Sequence, residues 1–219
     1  MKKLFNPLFL AILFFGLTVE IQAQNNQKAN EMVDSILEKV KSYENISIEF
    51  TYVLENLNEN IKQETRGEVT IQNDKYVLNL MGTTRIFDGK KIYTIIPEDE
   101  EVIISNYDDQ DENEITPSKM LTFFEEGYSY EMDIVQNYKG RKIQFLKLIP
   151  NEGTNDEIKE ILLGVDQQTL HLHTLIQIQD NGTRTQIQVK SFKRNQPLSQ
   201  KHFEFNEDKF SNYYINRLD

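Results

Sequence analysis

Apolar and polar residues alternate along most of this chain, in short runs broken by turn-forming pairs. Between Thr65 and Ser105, Gly67, Val69 and Ile71 alternate with Glu68, Thr70 and Gln72. That period of two gives a strand one apolar and one polar face. Asn73-Asp74 interrupts the run, Tyr76, Leu78 and Leu80 resume it, and Gly82 breaks it again. Ile86 and Phe87 lead into Asp88-Gly89, a pair suited to a tight hairpin because glycine tolerates positive φ. Lys91 to Ile96 and Val102 to Ile104 follow, separated by an acidic turn. The spacing predicts an up-and-down meander with one buried face, which the rest of the chain extends or covers.

Upstream, Ile46, Ile48, Phe50, Tyr52 and Leu54 share one face of a strand, and Ile61 to Gln72 returns beside it. Asn30 to Ser42 reads as an amphipathic helix. Val33, Ile36, Leu37 and Val40 recur at helical spacing, and Met32 widens the stripe. Downstream, Thr116-Pro117 opens a short helix with Thr as cap and Pro in the first turn. Met120, Leu121, Phe123 and Phe124 make it apolar around much of its circumference, and Gly127 ends it. So short a helix has to be docked, as a plug in the core or as a lid over a cavity. Further strands are predicted over Tyr128 to Tyr138, Lys142 to Pro150, Ile158 to Val165, Leu170 to Gln179 and Thr183 to Phe192. The tail from Phe203 to Leu218 is partly extended. About ten strands at hairpin spacing and two helices predict a mainly β (α+β) fold. Its simplest form is a single curled antiparallel sheet with the helices on its concave side.

The N-terminus reads as a processing signal. Lys2 and Lys3 precede an apolar run from Leu4 to Leu17, and Ala23 offers a small residue for cleavage. Residues 1–23 are expected to be a cleaved signal peptide and 24–219 one exported domain. The chain has no cysteine, which excludes disulfides, thiol nucleophiles, thiolate metal sites and a lipid-modified N-terminal Cys. A net charge of −11 argues against nucleic acid as a partner and favours a soluble monomer.

The residues do not support catalysis. No nucleophile elbow, phosphate loop or zinc-protease motif occurs. His171 and His173 stand two apart on a predicted strand and so point the same way. They are read as exposed imidazoles on a polar face rather than metal ligands. Asp109, Asp111 and Asn113 have the opening spacing of a calcium loop. Glu114 stands where glycine is needed and Met120 where the closing Glu belongs, so a solvated acidic loop is expected. No metal, cofactor or catalytic residue is assigned.

The order of motifs resembles the LolA-type periplasmic carriers of outer-membrane lipoproteins. The resemblance begins with the amphipathic helix and YENISIEFTYVL (43–54). It continues through RGEVTI (66–71), IFDGKKIYTI (86–95), TPSKMLTFFEEGYSYE (116–131), IKEILLGVD (158–166) and FEFN (203–206). The Asp88-Gly89-Lys90 hairpin is its most specific piece. The resemblance implies an unclosed β-barrel capped by helices, whose apolar cavity shelters acyl chains. It further implies acylated lipoproteins as cargo, an inner-membrane lipoprotein-releasing ABC transporter that loads them, and an outer-membrane acceptor. Each methylene of a lipid anchor gains ~0.8 kcal/mol when buried, so an acylated protein needs shelter across water. The expected lining is Phe50, Tyr52, Ile71, Tyr76, Leu78, Leu80, Ile86, Tyr93 and Ile95, with Met120, Leu121 and Phe124 from the lid. A lipid-binding sensor or regulator on the same half-barrel is the alternative. Many family members carry an Arg-Pro whose arginine tethers the closed lid. Asn73-Asp74 stands there in this chain, so either another contact closes the lid or the cavity stays ajar.

Overall fold

The computed structural model describes residues 7–56, 58–107, 116–154 and 157–218, with side chains from residue 24 onward. Helix α1 runs from Pro7 to Lys41, far longer at its N-terminal end than the amphipathic spacing predicts. No proline follows Pro7 and no glycine follows Gly16 before its end, so nothing interrupts the backbone. Lys39 and Lys41 occupy the last turn, where positive charge suits the helix dipole. Asn45 then fastens the chain to the segment that follows the neighbouring strand, just past Arg194. Its Oδ1 accepts from Gln196 N–H and its Nδ2 donates to the Gln196 carbonyl, both at 2.9 Å.

Twelve strands among the described residues form one sheet. They are β1 (Ile46–Asn56), β2 (Ile61–Gln72), β3 (Lys75–Leu80), β4 (Thr83–Phe87), β5 (Lys91–Ile96), β6 (Glu101–Asn106), β7 (Tyr128–Tyr138), β8 (Arg141–Pro150), β9 (Ile158–Asp166), β10 (Leu172–Gln179), β11 (Thr183–Arg194) and β12 (Tyr214–Leu218). Their order is β12-β6-β5-β4-β3-β2-β1-β11-β10-β9-β8-β7, an open sheet whose ends do not meet. The pairs are antiparallel except β12–β6. β12 comes back from the tail to lie parallel to β6, with Tyr214 opposite Glu101. The predicted short helix is two tight 3₁₀ turns, Lys119–Leu121 and Phe123–Glu125.

Carboxylates cap two of the hairpin turns. Asp88 Oδ1 accepts from the Lys90 and Lys91 N–H groups at 2.8 Å each, while Gly89 adopts φ 98°. Buried Asp166 does the same between β9 and β10, accepting from Gln168 and Thr169. These bonds satisfy turn amides and so fix the register of the flanking strands.

Register decides which residues share a face. Ile46, Ile48 and Phe50 of β1 lie opposite Ile71, Val69 and Gly67 of β2, and Ile71 lies opposite Tyr76, Tyr76 opposite Phe87 and Phe87 opposite Ile92. All of these occupy the inner face. Gly67 lets the Phe50 ring lie flat on the sheet, since a Cβ there would stand 2.5 Å from Phe50 Cζ. At the other end of the same face, Ala29, Val33, Ile36 and Leu37 of α1 pack onto Leu146, Leu148, Ile161, Leu163 and Val165. The outer face carries two smaller clusters. Ile95, Val102 and Ile104 lie beneath Phe205, Phe210, Tyr213 and Ile215 of the tail, and Ile143, Phe145 and Ile176 gather beside Tyr138.

Candidate functional site

Helix α1 covers only part of the inner face. Past Val40, which touches both inner clusters, a hollow of about 900 Å³ opens against β2, β4 and the loop after the helix. Val40, Ile46, Ile71, Phe87 and Leu121 form its apolar wall, and Lys41, Lys75, Lys90 and Lys119 stand with Glu44 and Asp74 around it. Its volume lies within the range of ligand-binding clefts, and it is open on one side.

The segment from Thr116 to Glu126 closes one side of the hollow. Thr116 Oγ1 accepts from Lys119 N–H at 3.2 Å, although the 3₁₀ turn is capped by Ser118, whose side chain makes no cap bond. The plug is anchored on both sides. Ser118 Oγ donates to the Asp74 carbonyl at 3.3 Å, and Tyr130 Oη donates to the Phe124 carbonyl. Lys41 at the helix end pairs with Glu125, and Phe123 meets Phe124 and Tyr128 edge-on. The Asn73-Asp74 turn thus contributes to closure through a main-chain carbonyl, which needs no particular side chain at its position.

The structure brings together some of the predicted lining and separates the rest. Phe50, Ile71 and Tyr76 are buried in one cluster, with Tyr52, Leu78, Leu80 and Leu121 packed against it. Ile71 and Leu121 line the hollow itself. Phe124 belongs to the cluster under α1, and Met120 is partly buried on the plug. Ile86, Tyr93 and Ile95 are corrected to the outer face. Phe87, not Ile86, lies opposite Tyr76, so the register turns these three toward the tail. The adjacent apolar pair Ile86-Phe87 had left the phase of that strand open. Strand alternation also gave no sign of Val40, Tyr43 and Tyr107, which reach the hollow from the helix end and the loops.

The two histidines are corrected as well. β10 begins only at Leu172, and His171 lies before it, next to Leu170 at φ 58°, so strand alternation does not govern His171 and the two side chains fall on different sides. His171 stacks on Phe192 with centroids 4.1 Å apart, and its Nε2 meets Tyr43 Oη at 2.9 Å. Burial, then the Arg194 and Lys39 charges, hold it below the ordinary imidazole range. His173 is buried on the outer face, with Nδ1 2.8 Å from Thr174 Oγ1. Among the described residues no cluster of three His, Asp or Glu could hold a metal ion. The loop with Asp109, Asp111 and Asn113 lies outside the described residues.

Behind the hollow, Asp88 Oδ2 accepts from Tyr93 Oη at 2.9 Å, and Tyr93 stacks on Phe205 at 4.6 Å. Burial and then the Asp88 carboxylate push the Tyr93 phenol up to about 12. Burial raises Asp88 itself, but the amides of Lys91 and Lys90, Tyr93 and the Lys75 charge outweigh it, leaving the carboxyl below its usual range.

The model of the outer membrane lipoprotein carrier protein family, LolA, matches residues 38–206, from the end of α1 to the start of the tail segment. This chain belongs to the LolA family. A comparison with curated proteins finds no match. Among solved structures, the LolA-family fold seen here is similar to that of an uncharacterized conserved protein from Thermus thermophilus. That pair has a TM-score of 0.52 at 12% identity, covering 84% of this chain and 98% of the other. It is also similar to Mycobacterium tuberculosis lipoprotein LppX, with a TM-score of 0.51 at 13% identity over 80% of this chain and 98% of that one. At such identities the likeness concerns the fold alone.

Proposed function

We propose that this LolA-family protein is an exported carrier that shelters the acyl chains of lipoproteins and moves them from the inner to the outer membrane. The family match over 38–206 carries the reading. The hollow supports it, because Ile46, Ile71, Phe87 and Leu121 offer an apolar wall beside a plug that a few polar bonds hold in place. Such bonds contribute about 0.5–1.5 kcal/mol each, weak enough for the plug to yield when cargo arrives. In this reading residues 1–23 are a cleaved signal peptide, the protein works in the periplasm as a monomer, and it has no catalytic role. An inner-membrane ABC transporter loads it, and an outer-membrane acceptor unloads it. The inner-face residues Phe50, Tyr52, Tyr76, Leu78 and Leu80 continue the apolar wall away from the plug.

Native mass spectrometry of the protein purified from the periplasm tests the proposal. The expected result is a co-purifying acylated polypeptide, with lipoproteins building up in the inner membrane when the protein is depleted. A bound glycolipid with no effect on lipoprotein sorting would overturn the carrier in favour of the sensor. No adduct and no sorting defect would overturn both.

A further inference from the structure

We infer that Leu121 sets how long an acyl chain this protein accommodates, by dividing the hollow from a small, mostly apolar gap beneath helix α1. The inference rests on the carrier reading and adds to it the residue that limits chain length. Val40, Tyr43 and Leu121 line both spaces, so only the thickness of a side chain parts them. The gap beyond measures about 20 Å³ and runs between α1, the plug and the inner face, with Ile36, Phe124, Leu163 and Val165 among its walls. Most of its walls are hydrocarbon, and the Tyr43 and His171 polar atoms among them are bonded to each other, so a chain threaded past Leu121 continues onto largely apolar surface.

The three dividing residues are not equivalent. Val40 belongs to the helix, and Tyr43 is bonded to His171. Leu121 is carried by the plug and is only partly buried, whereas its neighbour Phe124 is 3% exposed and anchored in the core under α1. The backbone on either side of Leu121 is tied independently, by Ser118 to the Asp74 carbonyl and by Tyr130 to the Phe124 carbonyl. Shortening the Leu121 side chain therefore leaves the plug in place and joins the two spaces. Enlarging it shortens the hollow.

The test displaces a fluorescent fatty acid from the purified protein with a saturated series running from capric to arachidic acid. It compares wild type, Leu121→Ala and Leu121→Phe. Affinity should climb about fourfold per methylene until the chain meets the partition, then level off. Leu121→Ala should level off later in the series, binding the first chain beyond the wild-type limit about fourfold more tightly. Leu121→Phe should level off earlier, so the inference does not depend on one variant folding. Superimposable profiles for the three proteins would overturn the role of Leu121 while leaving the carrier reading intact. Failure of wild type to bind any member of the series would overturn the carrier reading and the inference with it.

Discussion

The two halves of the inner face are written in the same alternation and end in different states. Over β8, β9 and β10, Leu146 and Leu148 are fully buried and Leu163 is 1% exposed, because Val33, Ile36 and Leu37 of α1 fill the space above them. Over β1 to β5 the same pattern buries Ile46, Ile71, Tyr76 and Phe87 but leaves Tyr52, Leu78 and Leu80 only partly covered. The difference is one of supply. Helix α1 ends at Lys41 and Asn45 fastens its successor to the sheet, so beyond Val40 the helix offers the second half no cover. The strands do not create the hollow. The place where the helix stops does.

The largest expected effect tests that distinction directly. Leu146→Ala removes a side chain that has no room to be replaced, and should lower unfolding free energy by ~2–5 kcal/mol in urea denaturation. Leu78→Ala on the incompletely covered half should cost about 1 kcal/mol, since much less area leaves water there. Equal losses would erase the contrast between the halves.

Glycines under aromatic rings sharpen it. A Cβ at Gly67 would meet the Phe50 ring at 2.5 Å, and one at Gly164 would meet Phe145 at 2.9 Å. Gly67→Ala and Gly164→Ala should each cost ~1–3 kcal/mol by forcing a ring aside. Only Gly67→Ala disturbs the inner face, so only it should also change the affinity for a fluorescent fatty acid. If Gly164→Ala altered that affinity equally, the outer face would share in the site.

A smaller effect concerns the backing of the hollow half, where Tyr93 joins the Asp88 turn to the tail. Its phenol is raised from 10.0 to about 12 in the folded protein. A raised value means that the contribution to stability is complete below the unfolded value and fades as pH climbs from about 10 through about 12. Tyr43, Tyr128 and Tyr130 are raised as well, so ultraviolet titration should show a late-ionising component from which Tyr93→Phe removes the contribution at about 12. The Asp88 carboxyl is shifted the other way, so its contribution is present above the ordinary carboxylate range and lost only on acidification.

The smallest effect separates the plug's anchors. Ser118→Ala should speed hydrogen exchange at the Leu121 and Thr122 amides, with a global cost of about 0.5–1.5 kcal/mol. Glu125→Gln should change neither, because the Lys41–Glu125 pair is half exposed and screened. If the two variants behaved alike, the Asp74 carbonyl would not be what holds that side of the plug.

Much of the meander was legible because a strand declares itself locally. Ile61–Gln72, Lys91–Ile96 and Tyr128–Tyr138 begin and end where alternation and turn residues place them. Legibility failed where local pattern is degenerate. Ile86 and Phe87 are both apolar, and only pairing with Tyr76 and Ile92 chooses the inward one. His171 and His173 share a face in any regular strand, but the strand begins only at Leu172, so the rule does not reach His171. The parallel return of β12 onto β6 depends on where the tail finds Val102 and Ile104, far away in sequence.

Composition and period by themselves determined an acidic, cysteine-free chain that folds as an extended antiparallel meander with one amphipathic helix and one short apolar plug. These are properties of neighbours in sequence, decided by side-chain alternation and turn chemistry. Where the hollow lies and which side chains bound it were decided only in three dimensions. Burial depends on what arrives from elsewhere to cover a face, and here the helix covers one half of the sheet and stops before the other.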